Sequence, residues 1–499
     1  MSAIPDTELR QLTLDPENWN ELRELGHRMI DDMFDHLKTL RDQPAWQPLP
    51  VEVAAALREP LPRRPTPASA VYQQVRELIL PYTNGNRHPR AWGWVRGTGT
   101  PLAMLADMLA SGMNSHMAGG QQAPTIVEEQ TLRWMAELLG MPPATTGLLT
   151  SGGTMSNLLG LAVARNTRAG FPIRQEGLQG NHPRLVVYCS TETHAWIQKA
   201  SELLGLGDQA LRHIPVNREY QMNLVELRSQ IDSDLAAGHQ PIAVIANCGT
   251  VNTGAVDDLP AIASLCAERR LWFHVDGAFG ALLKLSPVYS HLVEGVERAD
   301  SLAFDLHKWM YLPFEIGCLL VRDPQAHVDA FATHASYLQE SERGITAGGF
   351  IFADRGVELT RGFKALKLWM SLKTHGVDAY AALIEQNMLQ ARHLEHAVAA
   401  HPELEMAAPR AMNIVCFRYN PPDRKLPDTD LNDINRELVL RLQESGSYVV
   451  SGTVLGGRYA VRVANTNHRS RMEDFDALIA DCVHLGQEIA SSWGQPTRA

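Results

Sequence analysis

Lys308 is the lysine with the most unusual surroundings in the sequence. It lies in SLAFDLHKWMYLP, at the predicted end of an apolar strand. An ammonium group is costly to bury between apolar strands, whereas an amine bonded to an aldehyde becomes an imine. Asp305 and His307 precede it and could hold a phosphate or orient the lysine. The alternative, a solvated loop lysine beside a structural histidine, is weakened by the apolar residues on both sides.

Asp276, Ala278 and His194 also fall at predicted strand ends. Asp276 ends the apolar strand of LWFHVDGAFG, where packing does not explain a carboxylate. Beside a pyridine nitrogen it would favour the protonated, more electron-accepting ring; the alternative is a helix-capping or salt-bridging aspartate. His194, in TETHAW, could stack on a planar cofactor and donate a proton, although a lone histidine is more often structural. Ala278 is small enough to cover the opposite ring face.

A glycine pair precedes an apolar helical pattern in LLTSGGTMSNLLGLAVARN. Free backbone N–H groups and the helix dipole could hold a phosphate at Ser151, Gly152, Gly153 and Thr154. A tight turn into a helix is the more frequent interpretation of this pattern alone. Open α/β sheets bind their ligands at the carboxyl ends of strands, so we expect these motifs to share one site.

From about Asn84 onward, apolar β-branched runs alternate with helical patterns, which predicts βαβ units and a mostly parallel sheet. The runs are RLVVYCS, PIAVIANCGT, LWFHVDGAFG, SLAFDLHKW and GCLLVRD. After the helical stretch RGFKALKLWMSLKTHG, strand-like NIVCFRY and YAVRVAN flank a helix. Upstream, Asp15 and Pro16 predict the first turn of an amphipathic helix. We expect an N-terminal helical arm (1–84), a large α/β domain (85–372) and a small α+β domain (373–499).

Composition argues against several classes of partner. The chain has 499 residues, of which 45% are hydrophobic and 20% charged, as in folded proteins of two or three domains. A formal net charge of −11 disfavours nucleic acid and anionic membranes. The six cysteines form no CxxC pair, and no apolar run resembles a signal peptide or a membrane span. We therefore expect a cytoplasmic protein with a small-molecule ligand.

The four motifs occur in the order and relative spacing of one enzyme family. TSGGTMSN, TETHAW, HVDGAFG and DLHKW resemble those of the group II decarboxylases that depend on pyridoxal 5'-phosphate (PLP), including aromatic-amino-acid, glutamate and diaminobutyrate decarboxylases. NRHPRAWGWVRGTGTPLAMLADMLASGMN and RGFKALKLWMSLKTHGV extend the resemblance over most of the chain. It implies the α/β fold of PLP-dependent transferases (fold type I, as in aspartate aminotransferase) and a homodimer with embracing N-terminal arms.

The resemblance also implies a role for each matched residue. Lys308 would hold PLP as a Schiff base, Asp276 would face the pyridine nitrogen, and His194 would stack on the ring and serve the substrate side. The phosphate contacts would be Gly152, Gly153, Thr154, Asp305 and His307. The family's usual Asn-Pro-His-Lys is Asp305-Leu306-His307-Lys308 here. An aspartate beside a phosphate calls direct contact by Asp305 into question.

The implied reaction removes the α-carboxylate of an L-amino acid and yields an amine and carbon dioxide. Trp92, Trp94 and Val95 in HPRAWGWVRG would form an apolar wall suited to an aromatic side chain, unless the tryptophans are core or interface residues. Arg96 keeps an acidic substrate open, because a guanidinium can clamp a carboxylate. We expect an aromatic substrate.

One rival reaction depends on a predicted lid, HASYLQESERGITAGGFIFADRG. The aromatic decarboxylases carry a proton-donating tyrosine in their lid, whereas this stretch has Phe350 or Phe352 there, with Tyr337 earlier. Without that donor, oxygen could divert the reaction toward an aldehyde by oxidative deamination.

Two further functions stay open. His274 and Asp276, with Asp305 and His307 from another strand end, could form the metal site of a hydrolase, although this leaves the adjoining lysine unexplained. A PLP-binding protein without activity would keep the lysine and Asp276, but the presence of His194 argues against it.

Overall fold

The computed structural model describes residues 13–333, 343–344 and 347–493. Two sheets organise this part of the chain. The larger consists of β1 (Thr146–Thr150), β2 (Leu185–Ser190), β3 (Leu211–Ile214), β4 (Gln240–Asn247), β5 (Trp272–Asp276), β6 (Ser301–Asp305) and β7 (Gly317–Val321). The smaller consists of β8 (Leu404–Met406), β9 (Ile414–Tyr419), β10 (Ser451–Leu455) and β11 (Arg458–Ala464).

Helices surround both sheets. They are α1 (Trp19–Lys38), α2 (Val51–Ala56), α3 (Ala68–Gln74), α4 (Pro101–Met113), α5 (Ala123–Leu138), α6 (Gly153–Arg168), α7 (Ile173–Glu176), α8 (Trp196–Leu203), α9 (Leu224–Ala236), α10 (Leu259–Arg269), α11 (Leu306–Trp309), α12 (Pro324–Phe331), α13 (Ala365–His375), α14 (Val377–Ala400), α15 (Asp428–Glu444) and α16 (Met472–Ser492). In the described ranges, none is long and apolar enough to cross a membrane.

The large sheet has the strand order β1-β7-β6-β5-β4-β2-β3. Strands β3, β2, β4, β5 and β6 are parallel, whereas β7 pairs antiparallel with both β6 and β1. All five runs predicted as strands form strands, and the short β1 and β3 are additional. The carboxyl ends of β2, β4, β5 and β6 therefore meet at one edge of a mostly parallel sheet, as predicted.

The first helix begins later than Asp15 and Pro16 predict. It starts at Trp19, where the side chain of Asn18 accepts hydrogen bonds from the backbone N–H groups of Asn20 (3.1 Å) and Glu21 (3.3 Å). Asp15 instead donates its own N–H to Thr13 Oγ1 (3.1 Å). The prediction of the start was wrong because two side chains of equal capping ability lie three residues apart, and Asn18 is the one that satisfies the free N–H groups.

The smaller sheet is antiparallel, with the order β10-β11-β9-β8, and helices α14, α15 and α16 pack against it. Its core contains Phe417, Leu438 and Phe475. Trp92, from far upstream, belongs to the same core. The backbone of residues 91–92 also pairs with Val449, so the chain ahead of α4 is fixed to the C-terminal sheet.

Candidate active site

A cavity of about 520 Å³ opens at the carboxyl edge of the large sheet. Its volume is in the range of sites for cofactors and small ligands. Of the residues selected from the sequence as cofactor or substrate contacts, all but Trp92 line it: Trp94, Val95, Gly152, Gly153, Thr154, His194, Asp276, Ala278, Asp305, His307 and Lys308. The fold thus brings five separate segments to one place.

Lys308 lies on α11, the single helical turn after β6. Its Nζ is 2.8 Å from Asp305 Oδ2, and His307 Nε2 is 3.7 Å from the same oxygen. The Asp305 side chain is only 3% exposed. The Ile316 N–H donates to His307 Nδ1 (3.2 Å), and burial lowers the pKa of His307 below its usual value. His307 is therefore a neutral ring whose Nε2 carries the hydrogen.

The glycine pair forms the turn from β1 into α6, which begins at Gly153 without a capping side chain. A Cβ at Gly153 would lie 2.8 Å from Asp305 Oδ2, and a Cβ at Gly152 would lie 3.2 Å from His307 Cε1. The first of these distances is shorter than real Cβ contacts allow. Glycine is therefore required for the turn to approach the Lys308 segment so closely, and its helix N-terminus faces the cavity.

Asp276 ends β5 and is buried. Its Oδ2 accepts a hydrogen bond from Trp196 Nε1 (2.6 Å), and its Oδ1 accepts one from the Ala278 N–H (3.1 Å). Trp196 was not singled out from the sequence, although it follows His194 by two residues in TETHAW. Two neutral donors hold the carboxylate in place at the cavity wall.

His194 lies in the turn between β2 and α8. The Trp196 N–H donates to His194 Nδ1 (3.2 Å), so Nε2 carries the hydrogen of the neutral ring. Burial lowers the pKa of His194, and the charge of Asp276 opposes that effect. Trp196 thus contacts both groups, through its backbone and its indole.

Trp94 and Val95 line the cavity, whereas Trp92 does not. Trp94 has a φ of 58° and is 50% exposed, with the Arg96 guanidinium carbon 4.4 Å from its ring centroid. Trp92 is buried, stacks on Phe475 with centroids 4.6 Å apart, and donates to Ser470 Oγ (2.9 Å). The prediction that Trp92 forms part of the substrate wall was wrong, because its ring belongs to the C-terminal core.

Residues of the small sheet and of the segment after β11 contact two loops that line the cavity. Ser451 Oγ accepts from the Trp94 N–H (3.2 Å), and Thr466 Oγ1 donates to the Arg96 carbonyl (2.8 Å). On the facing loop, Arg462 donates to the carbonyls of Val251 and Asn252, and Val251 lines the cavity. These contacts join residues hundreds of positions apart, so no local sequence pattern indicates them.

His274, on which the metal-site alternative depends, is a core residue. Its Nδ1 bonds Ser301 Oγ (2.7 Å), its Nε2 bonds Asn157 Oδ1 (2.7 Å), and burial lowers its pKa to about 3. Both ring nitrogens are therefore occupied by protein partners. Within the described ranges, no three histidine, cysteine, aspartate or glutamate side chains are grouped as a metal site requires.

The predicted lid falls partly outside the described residues, and Tyr337 lies in that part. Phe352 is fully buried, and Phe350 packs against it with centroids 4.7 Å apart. Neither ring lines the cavity.

Comparison with known proteins identifies the family. The model of the pyridoxal-dependent decarboxylase conserved domain matches residues 50–420. The chain belongs to the pyridoxal-dependent decarboxylase family. It is 31% identical over 480 residues to the aromatic-L-amino-acid decarboxylase of Bacillus atrophaeus, covering 95% of this chain and 97% of that one. It is 29% identical over 474 residues to the phenylacetaldehyde synthase of Petunia hybrida, covering 90% of each.

The crystal structure of Oryza sativa TDC with PLP and tryptamine is similar over 96% of this chain and 100% of that one, with a TM-score of 0.88 and 27% identity. This pyridoxal-dependent decarboxylase therefore has the α/β architecture of fold type I, uses PLP and removes a carboxylate from an amino acid.

The cavity contains groups that fit PLP: a lysine amine for the aldehyde, a carboxylate for the ring nitrogen and a glycine turn at a helix N-terminus for the phosphate.

Proposed function

We propose that this pyridoxal-dependent decarboxylase converts an aromatic L-amino acid into its amine and carbon dioxide. The observation that carries the proposal is the single cavity in which Lys308 and Asp276 face the apolar wall of Trp94 and Val95. Phe279 adds a further aromatic surface to the same cavity. Its similarity to an enzyme named aromatic-L-amino-acid decarboxylase supports the choice of substrate class.

When bound, PLP supplies an aldehyde that bonds amines and a ring that accepts the electrons left by the departing carboxylate. We assign Lys308 to the aldehyde and Asp276 to the ring nitrogen, where a carboxylate keeps the proton on that nitrogen. Gly152, Gly153 and Thr154 would hold the phosphate together with His307. Asp305 would lie beside them.

His194 and Ala278 are assigned to the two faces of the cofactor ring. Because the backbone of Trp196 occupies His194 Nδ1, the Nε2 hydrogen remains for the substrate side of the cavity. The burial that lowers the pKa of His194 keeps this ring neutral near pH 7. A neutral donor there can orient a substrate carboxylate without forming an ion pair that would resist its loss.

We further propose a cytoplasmic homodimer divided into an arm (1–84), a large domain (85–372) and a small domain (373–499). Six buried cysteines without disulfides support the location. The two sheets, within residues 146–321 and 404–464, support the division. The apolar surface of α1, which buries only Leu25, supports the dimer.

The test combines a substrate panel with a variant of Lys308. Protein saturated with PLP is given each aromatic, acidic and aliphatic L-amino acid, and carbon dioxide, amine, hydrogen peroxide and ammonia are measured. We expect carbon dioxide and amine in equal amounts, fastest with an aromatic substrate. Lys308→Ala should lose the visible absorbance of the imine and at least about 1000-fold in kcat, whereas Lys425→Ala, at an exposed lysine, should retain both.

Two results would contradict the proposal. Release of peroxide and ammonia in amounts equal to carbon dioxide would show that the product is an aldehyde rather than an amine. Fastest turnover of glutamate would show that the preferred substrate is acidic rather than aromatic. Arg96 would then be the candidate for binding its side-chain carboxylate.

A further inference from the structure

Asp305 has one carboxylate oxygen without a hydrogen-bond partner among the described residues. Oδ2 contacts Lys308, whereas Oδ1 is buried and receives no donor. A buried acceptor that remains unpaired costs free energy, about 1–3 kcal/mol or more when it is charged. Such an atom at the wall of a binding cavity is in a position to accept a donor from a ligand.

Oδ1 faces the turn that starts α6. It lies 3.6 Å from the position of a Cβ on Gly152, and Oδ2 lies 2.8 Å from a Cβ on Gly153. The carboxylate therefore borders the same small space as the free N–H groups of the helix N-terminus. Those N–H groups attract an anion, whereas an ionised Asp305 repels one.

A phosphate ester has its second ionisation near pH 6, so at neutral pH it exists as both monoanion and dianion. A dianion would place two negative charges beside Asp305 and would leave Oδ1 without a donor. A monoanion carries a P–OH group, which can donate to Oδ1 while the remaining oxygens accept from the helix N-terminus. The two observations, an unpaired acceptor and an anion site in contact, are satisfied together only when one proton is present.

We propose that Asp305 and the phosphate of PLP share one proton, so that binding of the phosphate takes up a proton from solvent. The inference depends on the proposed position of the phosphate at the Gly152-Gly153 turn. A chain with asparagine at position 305 would not need this proton uptake, because an amide can donate to a phosphate dianion without any added proton.

The charged and titratable groups around Asp305 limit the pH range of the effect. Lys308 and His307 face it from its own segment, His194 faces it from the turn after β2, and Cys318 faces it from β7. The first turn of α6 contributes no titratable side chain. Burial lowers the pKa of both histidines and raises that of Cys318, so these three groups are neutral between pH 7 and 8.5.

The experiment compares PLP with pyridoxal, which has the same aldehyde and ring but no phosphate. Because both aldehydes bond Lys308 in the same way, the ratio of their dissociation constants isolates the contribution of the phosphate at each pH. In the parent protein we expect this contribution to fall about tenfold per pH unit above pH 7. In Asp305→Asn it should change less than about twofold from pH 7 to 8.5, and PLP should bind more tightly than in the parent at pH 8.5.

Asp423→Asn, at an exposed aspartate, is the matched control and should behave as the parent. Titration calorimetry of the parent in buffers of different ionisation enthalpy needs no variant, and should show about one more proton taken up with PLP than with pyridoxal at pH 8. Equal pH dependence in parent and Asp305→Asn, or equal proton uptake for the two aldehydes, would overturn the proposal. Failure of the proposed function would instead appear as a missing amine product, whatever the pH dependence.

Discussion

Asp276 is a buried carboxylate held by two neutral donors, and among the described residues no side-chain cation pairs with it. A carboxylate in that condition lacks a positive partner, and a protonated pyridine nitrogen would supply one. The indole of Trp196 is the shorter of its two contacts. If Asp276 faces the ring nitrogen as proposed, Trp196 would act on the cofactor through Asp276, as a positioning residue.

Trp196→Phe tests this role by removing the indole N–H while keeping an aromatic ring. A hydrogen bond to a charged group contributes about 1.5–3 kcal/mol, so we expect PLP affinity to fall roughly 10- to 100-fold. The dissociation constant of PLP, measured from its absorbance, checks the prediction.

The matched control is Trp272→Phe, which removes a buried indole donor to Ser301 Oγ (2.7 Å) at the opposite end of β5. It should lower stability without changing the dissociation constant of PLP. Equal loss of affinity in both variants would show that Trp196 acts only on general stability.

For single residues, the sequence correctly predicts the positions of those that lie at strand ends. It does not predict positions that depend on an unusual backbone conformation. Lys308, Asp276 and His194 end or follow strands, and the shared sheet edge places them together. Trp92 and Trp94 are two residues apart and would point to one side of an extended chain. The left-handed φ of Trp94 interrupts that alternation of side chains, and no residue type near it in the sequence predicts the interruption.

At the scale of the elements, the long helix α1 buries only Leu25. Trp19, Leu22 and Met29 recur at helical spacing along it and are exposed. An apolar stripe on an arm that contacts its own chain so little favours a second copy as its partner.

Leu22→Lys combined with Met29→Lys tests whether this stripe forms the dimer contact. Burying two ammonium groups in an apolar interface is costly, so we expect dissociation toward the chain mass of 55.2 kDa, measured by light scattering. Leu440→Lys, at an exposed position of α15, should leave the mass at that of a dimer. A dimer that persists in the double variant would place the contact elsewhere.

The sequence predicts where a helix or strand begins and ends only where a single capping or turn residue marks the boundary. RLVVYCS and PIAVIANCGT are bounded by turn residues, and they form β2 and β4 as predicted. Asn18 and Asp15 compete as caps, so the start of α1 was misplaced. Strand β3 has only four residues, two of them not buried, and such a short edge strand carries little hydrophobic pattern.

For the whole molecule, buried histidines reduce stability in acid. Burial lowers the pKa of His88 to about 4 and those of His274 and His327 to about 3. In the unfolded chain each titrates near 6.5, so below that pH the unfolded state binds protons that the folded state does not. The free energy of unfolding therefore falls as pH falls, by at most about 1.4 kcal/mol per pH unit for each histidine.

Urea denaturation at pH 7, 6 and 5 measures this dependence. Asp257 opposes it, because burial raises the pKa of that carboxyl to about 6, and so do Asp107, Glu128 and Asp300, whose pKa burial also raises. His468, whose pKa burial lowers to about 3, adds to the loss of stability in acid. His327→Asn should make the dependence shallower, whereas His396→Asn, at an exposed position, should not. Stability that stays constant or rises from pH 7 to pH 5 would contradict the prediction.

The hydrogen bonds from Ser451 and Thr466 to the Trp94 segment have a consequence during translation. The ribosome completes Lys308 and the Gly152-Gly153 turn well before it reaches Ser451 and Thr466. Under the proposed roles, a nascent chain would therefore contain the amine for the cofactor before it contains the residues that hold Trp94 in place. A product truncated before Ser451 would lack both hydrogen bonds that hold the Trp94 segment, and with them the proposed basis of substrate selectivity.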